Sequence, residues 1–274
     1  MKLPRFGRLV VASSVALGAG LFAPIESISS GASNSPAIGF LVPGLKAIST
    51  SLNWSGMEAT SSTSEFDSVG SKWTVPRVTC PHSGTTYSSM WVGLGGEHSG
   101  DTLFQTGIGM GCVKGAATYS AWWEYVPGNA AQYYSYVVRP GDIIYAGVSL
   151  VGGNQARFSL ADYRPSGTMR WAAPYKLLPD VQAAKSAECI LERPTVVINK
   201  KATYFPLANF GQAVFDNCTG STQSDGVFAL TPGAPVPAAK VGSLTMTNSS
   251  GDSLDQISNF QSIGGFTATW KRGS

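Results

Sequence analysis

The segment Pro140–Gly167 reads PGDIIYAGVSLVGGNQARFSLADYRPSG, and it contains the whole logic of the chain. Two runs rich in β-branched and aromatic residues, Ile143–Val151 and Ala156–Tyr163, are bounded by Pro140-Gly141-Asp142, Gly152-Gly153-Asn154 and Pro165-Ser166-Gly167. Runs of this length between Gly, Pro and Asn clusters are strands between turns.

The same grammar extends in both directions. Further β-like runs are Trp73–Val75, Ser89–Leu94, Ala121–Val126, Tyr134–Val138, Cys189–Glu192, Gln212–Phe215 and Phe266–Trp270, with Pro127-Gly128-Asn129 as another turn. Long helical periodicity is absent; only Asp180–Ala187 tolerates a helix, of one or two turns. Segment 219–240 reads as a loop or an excursion between strands. An all-β sandwich or barrel of antiparallel strands follows.

Composition agrees. Of 274 residues, 43% are hydrophobic, enough for one large core, while Gly (32) and Pro (16) supply turns. Charged residues make up only 13%, about half the usual share. A charge-poor chain loses few carboxylate pairs to protonation and suits work in acid. The net charge of +3 falls partly on Lys2, Arg5 and Arg8, and no basic stripe exists, so nucleic-acid binding is not expected.

Residues 1–23 read as a secretory signal: a basic start, then an apolar run from Leu9 to Phe22 too short for a comfortable membrane span. Residues 24–50, rich in Ser, Ala, Gly and Pro, read as a linker or short propiece. The folded domain is then 51–274, starting near Asn53-Trp54-Ser55-Gly56. A secreted, extracellular monomer without membrane attachment after cleavage is expected. Four cysteines, Cys80, Cys112, Cys189 and Cys218, allow three pairings; Cys80–Cys112 and Cys189–Cys218 close the shorter loops and are favoured.

Several chemistries drop out. There is no C-x-x-C, no H-E-x-x-H and no G-x-S-x-G, and the two histidines, His82 and His98, sit in loop contexts. No D-[ST]-G loop occurs; Gln105-Thr106-Gly107 stands where such an acid would be. Glycine patterns for nucleotide phosphates are missing too, and no metal or other cofactor is expected.

Six segments, in order, resemble the glutamic peptidases, the eqolisin family. They are Asn53-Trp54-Ser55-Gly56, Trp73-Thr74-Val75-Pro76, Ser89-Met90-Trp91-Val92-Gly93-Leu94, Leu103-Phe104-Gln105-Thr106-Gly107, Tyr119–Pro127 and Ala187-Glu188-Cys189-Ile190-Leu191-Glu192; Phe205–Phe210 and Val214-Phe215 follow. The resemblance implies a concanavalin A-like sandwich of two curved antiparallel sheets, polypeptide substrates, an acidic optimum and no cofactor. It implies that Gln105 and Glu188 are the catalytic pair. Trp91, Trp122, Glu124 and Glu192 are the expected substrate-binding residues, since Glu188 and Glu192 share one strand face, and Trp122 and Glu124 another. The family's two supporting Asp positions are Gly95 and Gly109 here, which is expected to alter efficiency and pH optimum; Glu97, Asp101 or Glu124 are the available substitutes.

Two rival readings remain at this level. A glycan- or peptide-binding module would stack its ligand on Trp91, Trp122 or Trp123 without needing Glu188. A glycoside hydrolase would use Glu188 and Glu192 as an acid/base pair, taken as about 7 Å apart along one strand, inside the inverting window.

Overall fold

The computed structural model describes residues 49–96, 102–126, 128–151, 155–172, 175–177, 184–198, 201–233 and 239–274. The proposed leader, residues 24–48 of the proposed linker, Glu97, His98 and Asp101 lie outside these; the last two linker residues, Ser49 and Thr50, instead pair with Leu244 and Thr245, so the folded domain begins before residue 51. Among the described residues every regular element is a strand.

The first sheet holds eight strands: β1 (Ser49–Ser51), β2 (Trp54–Thr60), β4 (Thr85–Leu94), β5 (Leu103–Val113), β6 (Ala116–Val126), β7 (Asn129–Tyr133), β12 (Ser186–Glu192) and β17 (Lys240–Met246). Their spatial order is β1-β17-β2-β12-β4-β5-β6-β7. The second sheet has β3 (Phe66–Thr74), β8 (Ile143–Val151), β9 (Gln155–Tyr163), β10 (Met169–Ala172), β15 (Gln212–Thr222), β18 (Asp255–Ser258) and β19 (Phe266–Trp270). Its order is β10-β9-β8-β3-β15-β19-β18, with β11 (Tyr175–Leu177) beside β9 and β16 (Gly226–Ala229) beside β15. A separate hairpin joins β13 (Thr195–Ile198) to β14 (Lys201–Tyr204). Among the described residues all strand pairings are antiparallel except β1 with β17, apart from an isolated parallel bridge between Tyr87 and Leu207.

Alternation builds the main core. Met57, Ala59, Met90, Val92, Phe104, Ile108, Cys189 and Leu191 from the first sheet meet Phe66, Trp73, Ile144, Val148, Phe158 and Phe215 from the second. Two disulfides tie this arrangement: Cys80–Cys112, and Cys189–Cys218, which joins β12 to β15 across the two sheets. The residue next to Glu188 is therefore stapled to the opposite sheet.

Three sequence expectations change. Tyr134–Val138 is not a strand; pairing with β6 ends at Tyr133, and the two tyrosines that follow stack on each other at 5.6 Å instead. Ser186 and Ala187 belong to β12 rather than to a helical turn, because they pair with Thr60 and Ala59. Segment 219–240 is not one loop: β15 runs to Thr222 and returns as β16, and Lys240 opens β17. In each case long-range pairing decided what local composition left open.

Candidate active site

Register across the first sheet brings the site together. Glu58 of β2 lies directly opposite Glu188 of β12, Glu188 opposite Gly93 of β4, Gly93 opposite Gln105 of β5, and Gln105 opposite Glu124 of β6. Directly opposed residues share a face, so four polar side chains and one glycine form a single row across five strands. The row lies on the face turned away from the main core.

Two residues along, a parallel row reads Leu244, Gly56, Ile190, Trp91, Gly107, Trp122 and Tyr133. A third reads Trp54, Glu192, Ser89, Gly109 and Ser120. Trp54, Trp91, Leu103, Trp122, Ile190 and Leu244 form a second apolar cluster on this face, with Trp54 edge-on to Trp91 at 5.0 Å. The acids therefore sit in an aromatic setting rather than on a solvated strand face. Gln105 and Glu188 are 0% exposed, Glu124 and Glu192 1% and Glu58 8%.

Gly93 is the spacer between Glu188 and Gln105. Strands two apart are separated by roughly 9.5 Å, and the residue between them carries no side chain. A methyl group at Gly93 would fall 2.7 Å from the Trp91 ring and 3.0 Å from Leu103. Trp91 and Leu103 thus close over this glycine and leave the interval to the two polar side chains.

Gln105, Glu124 and Glu192 are held by defined hydrogen bonds. Gln105 donates from Nε2 to Oε2 of Glu124 at 2.8 Å, which fixes the orientation of its amide. Trp91 donates from Nε1 to Oε2 of Glu192 at 2.9 Å, and Asn53 donates to Oε1 of the same carboxylate at 3.3 Å. Burial pushes the Glu124 carboxyl up to about 8; the Glu192 charge adds to this, while hydrogen bonds from Gln105 and the Ala131 backbone oppose it. In acid Glu124 is therefore a neutral carboxyl.

The sequence-expected residues are brought to one face, though not to one point. Gln105, Glu188 and Glu124 occupy the first row, Trp91 and Trp122 the second, and Glu192 the third. Glu188 and Glu192 are four residues apart along β12, so the separation of about 7 Å does not hold. Strand rise separates them by about 13 Å, beyond the 6.5–9.5 Å inverting window, so the acid/base pair of a glycoside hydrolase is not formed. Trp123 points into the main core, 4.8 Å from Phe158, and cannot line a groove with Trp91 and Trp122.

At the two positions where the family pattern has Asp, the backbone explains one glycine. Gly95 has φ +94°, a conformation that strains any L side chain, while its N–H bonds to the Ser186 carbonyl at 3.0 Å. A side chain at Gly109 would meet the Ser120 hydroxyl at 2.9 Å. Sequence reading missed Glu58. The alternation Trp54, Gly56, Glu58 against Ser55, Met57, Ala59 placed it on the tryptophan face, but its partner lies 130 residues away in the chain.

Residues 52–259 match the sequence model of the peptidase A4 family. No curated protein sequence matches the chain. Scytalido-glutamic peptidase, solved with a peptide-based transition-state analogue, has a similar fold: TM-score 0.62 at 20% identity, covering 80% of this chain and 98% of that one. SCP-B, solved with the tripeptide Ala-Ile-His and described as a member of the eqolisin family of peptidases, gives a TM-score of 0.61 at 19% identity over the same shares. The matched segment carries the whole three-row face, from Asn53 to Leu244, and by it the chain belongs to the peptidase A4 family, the eqolisins, enzymes that hydrolyse peptide bonds.

Proposed function

We propose that this peptidase works through Glu188 as general base and Gln105 as oxyanion donor, on polypeptides, in acid, outside the cell. The observation that carries this reading is the row itself: the two residues flank a glycine, on one face, with a span that admits a scissile carbonyl and a water.

Glu188, ionised, takes a proton from water as the oxygen attacks the carbonyl carbon. The carbonyl oxygen becomes negative and accepts from the Gln105 N–H not bonded to Glu124. The C–N bond then breaks, and protonated Glu188 returns its proton to the leaving amine. A primary amide does not titrate, so the donor works unchanged in acid. Glu192 acts by fixing the Trp91 indole beside Gly93 rather than by touching substrate. Trp122 and the exposed Tyr133 form the open end of the aromatic row.

Export rests on the leader at residues 1–23 and on two disulfides, which persist in oxidising compartments. The mature domain then begins no later than Ser49, since β1 pairs with β17, and is released as a monomer once the linker before it is removed.

The deciding experiment compares proteolysis of a denatured protein at about pH 3–5 by wild type, Glu188→Gln and Gln105→Ala. Glu188→Gln should abolish turnover. Gln105→Ala should lower kcat by about 10²–10³-fold. Wild-type rates in either variant would refute the assignment.

A further inference from the structure

Glu58 has no assigned role, yet it is the residue directly across the β2–β12 ladder from Glu188. Direct cross-strand partners on one face have Cβ atoms about 4.5–5.5 Å apart, which puts two glutamate carboxyls within hydrogen-bonding reach. Both side chains are buried. Glycines flank the pair: Gly242 of β17 lies opposite Glu58 on its other side, and Gly93 opposite Glu188. Neither outer neighbour in the row offers a side chain.

The charged and titratable groups around the pair are few. On β17, Lys240 sits diagonal to Glu58 and is exposed. On β12, Glu192 lies four residues along, next to Trp91 and Asn53. Glu124 is three strands away from Glu188 on β6 and bonds Gln105. On this face β4 adds Tyr87 and β7 adds Tyr133, phenols that are neutral in acid at their ordinary pKa.

Two carboxyls so placed do not both ionise easily; the favoured state holds one proton between them and one negative charge. We propose that Glu58 is a positioning residue for Glu188: protonated in acid, its O–H donates to the Glu188 carboxylate and keeps that carboxylate ionised and aimed at the water. This inference rests on Glu188 being the base. It supplies, from the neighbouring strand, support of the kind that Gly95 and Gly109 cannot give.

The test is the acid limb of kcat/KM, followed with a quenched-fluorescence peptide from pH 2 to 6 in wild type, Glu58→Asp, Glu58→Gln and Glu58→Leu, beside Glu188→Gln. A donor to a charged acceptor is worth about one pH unit in the midpoint. The limb should therefore move upward by about one unit in Glu58→Leu and by less in Glu58→Gln, whose amide still donates; Glu58→Asp should stay nearest wild type. A purely structural role would lower activity without moving the midpoint. A midpoint that stays put, or moves down, in Glu58→Leu overturns the proposal; should Glu58→Leu not fold, Glu58→Ala, which also lacks a donor, takes its place. Turnover surviving in Glu188→Gln would instead remove the base on which the proposal stands, a different and separately visible failure.

Discussion

Gln105 and Glu124 face each other across the β5–β6 ladder and are joined by a hydrogen bond of 2.8 Å from Nε2 to Oε2. This bond leaves one N–H of the amide to point elsewhere, so the donor's aim depends on its neighbour.

Because burial raises the Glu124 carboxyl to about 8, its acid-state chemistry is that of a neutral group with one acceptor oxygen. Glu124→Gln presents the same acceptor and should keep near-wild-type kcat below pH 5. Glu124→Leu frees the Gln105 amide to rotate, and misplacement on this scale costs about 100-fold. Equal losses in the two variants, by steady-state kinetics, would contradict the orienting role.

Stability should fall as pH rises. Glu124 has a folded pKa of about 8 against an ordinary 4.5, and Asp255, buried behind β2 and bonded by Ser55 Oγ at 2.9 Å, one of about 6 against 3.8. Both bind protons more tightly folded than unfolded. Their contribution is complete below the unfolded values and is lost through pH 3.8–6 for Asp255 and 4.5–8 for Glu124, each by up to about 1.4 kcal/mol per pH unit. Thermal melts should drop from pH 4 to pH 8, and Glu124→Gln should flatten the upper part of the curve. An identical slope in that variant would count against the shift.

Gly93→Ala should leave the sandwich folded and the enzyme poor. The added methyl meets the Trp91 ring at 2.7 Å, and relief of such overpacking costs about 1–3 kcal/mol. Since it fills the interval between Glu188 and Gln105, kcat should fall further than stability does. Circular dichroism melts beside turnover separate the two effects.

Cys218→Ser should cost about 3.5 kcal/mol, from a loop with a sequence separation of 29. The bridge ends on Cys189, so slackening should reach Glu188. A reduced kcat in the folded variant at low temperature would report this; a stability loss with unchanged kcat would show that the ladder alone holds the base.

Much of this architecture was legible beforehand because strand and turn chemistry is local. Ile143–Val151 and its neighbour around Ala156–Tyr163 could be read from residues adjacent in sequence. Gln105 and Glu188 were singled out by ordered motifs, as the pair that the resemblance implies. Glu58 was not, because a glutamate in a short strand becomes informative only once its partner is known. The same holds for the bond of Glu192 to Trp91, which needed the fold, whereas its face and its distance of about 13 Å from Glu188 follow from strand alternation and rise. Segment 219–240 failed for the opposite reason, since its Gly and Ser content hid a hairpin stabilised by pairing with β3 and β16.

The five-strand row through Glu58, Glu188, Gly93, Gln105 and Glu124 also limits how such an enzyme can change. Sites on loops tolerate insertions and deletions. Here a single-residue insertion within β12 would turn Glu188 into the disulfide-bonded interior and bring Cys189's position to the substrate side. Drift in this site is confined to substitutions at fixed length, and the lengths of β2, β4, β5, β6 and β12 between turn and site should vary less than any residue they carry.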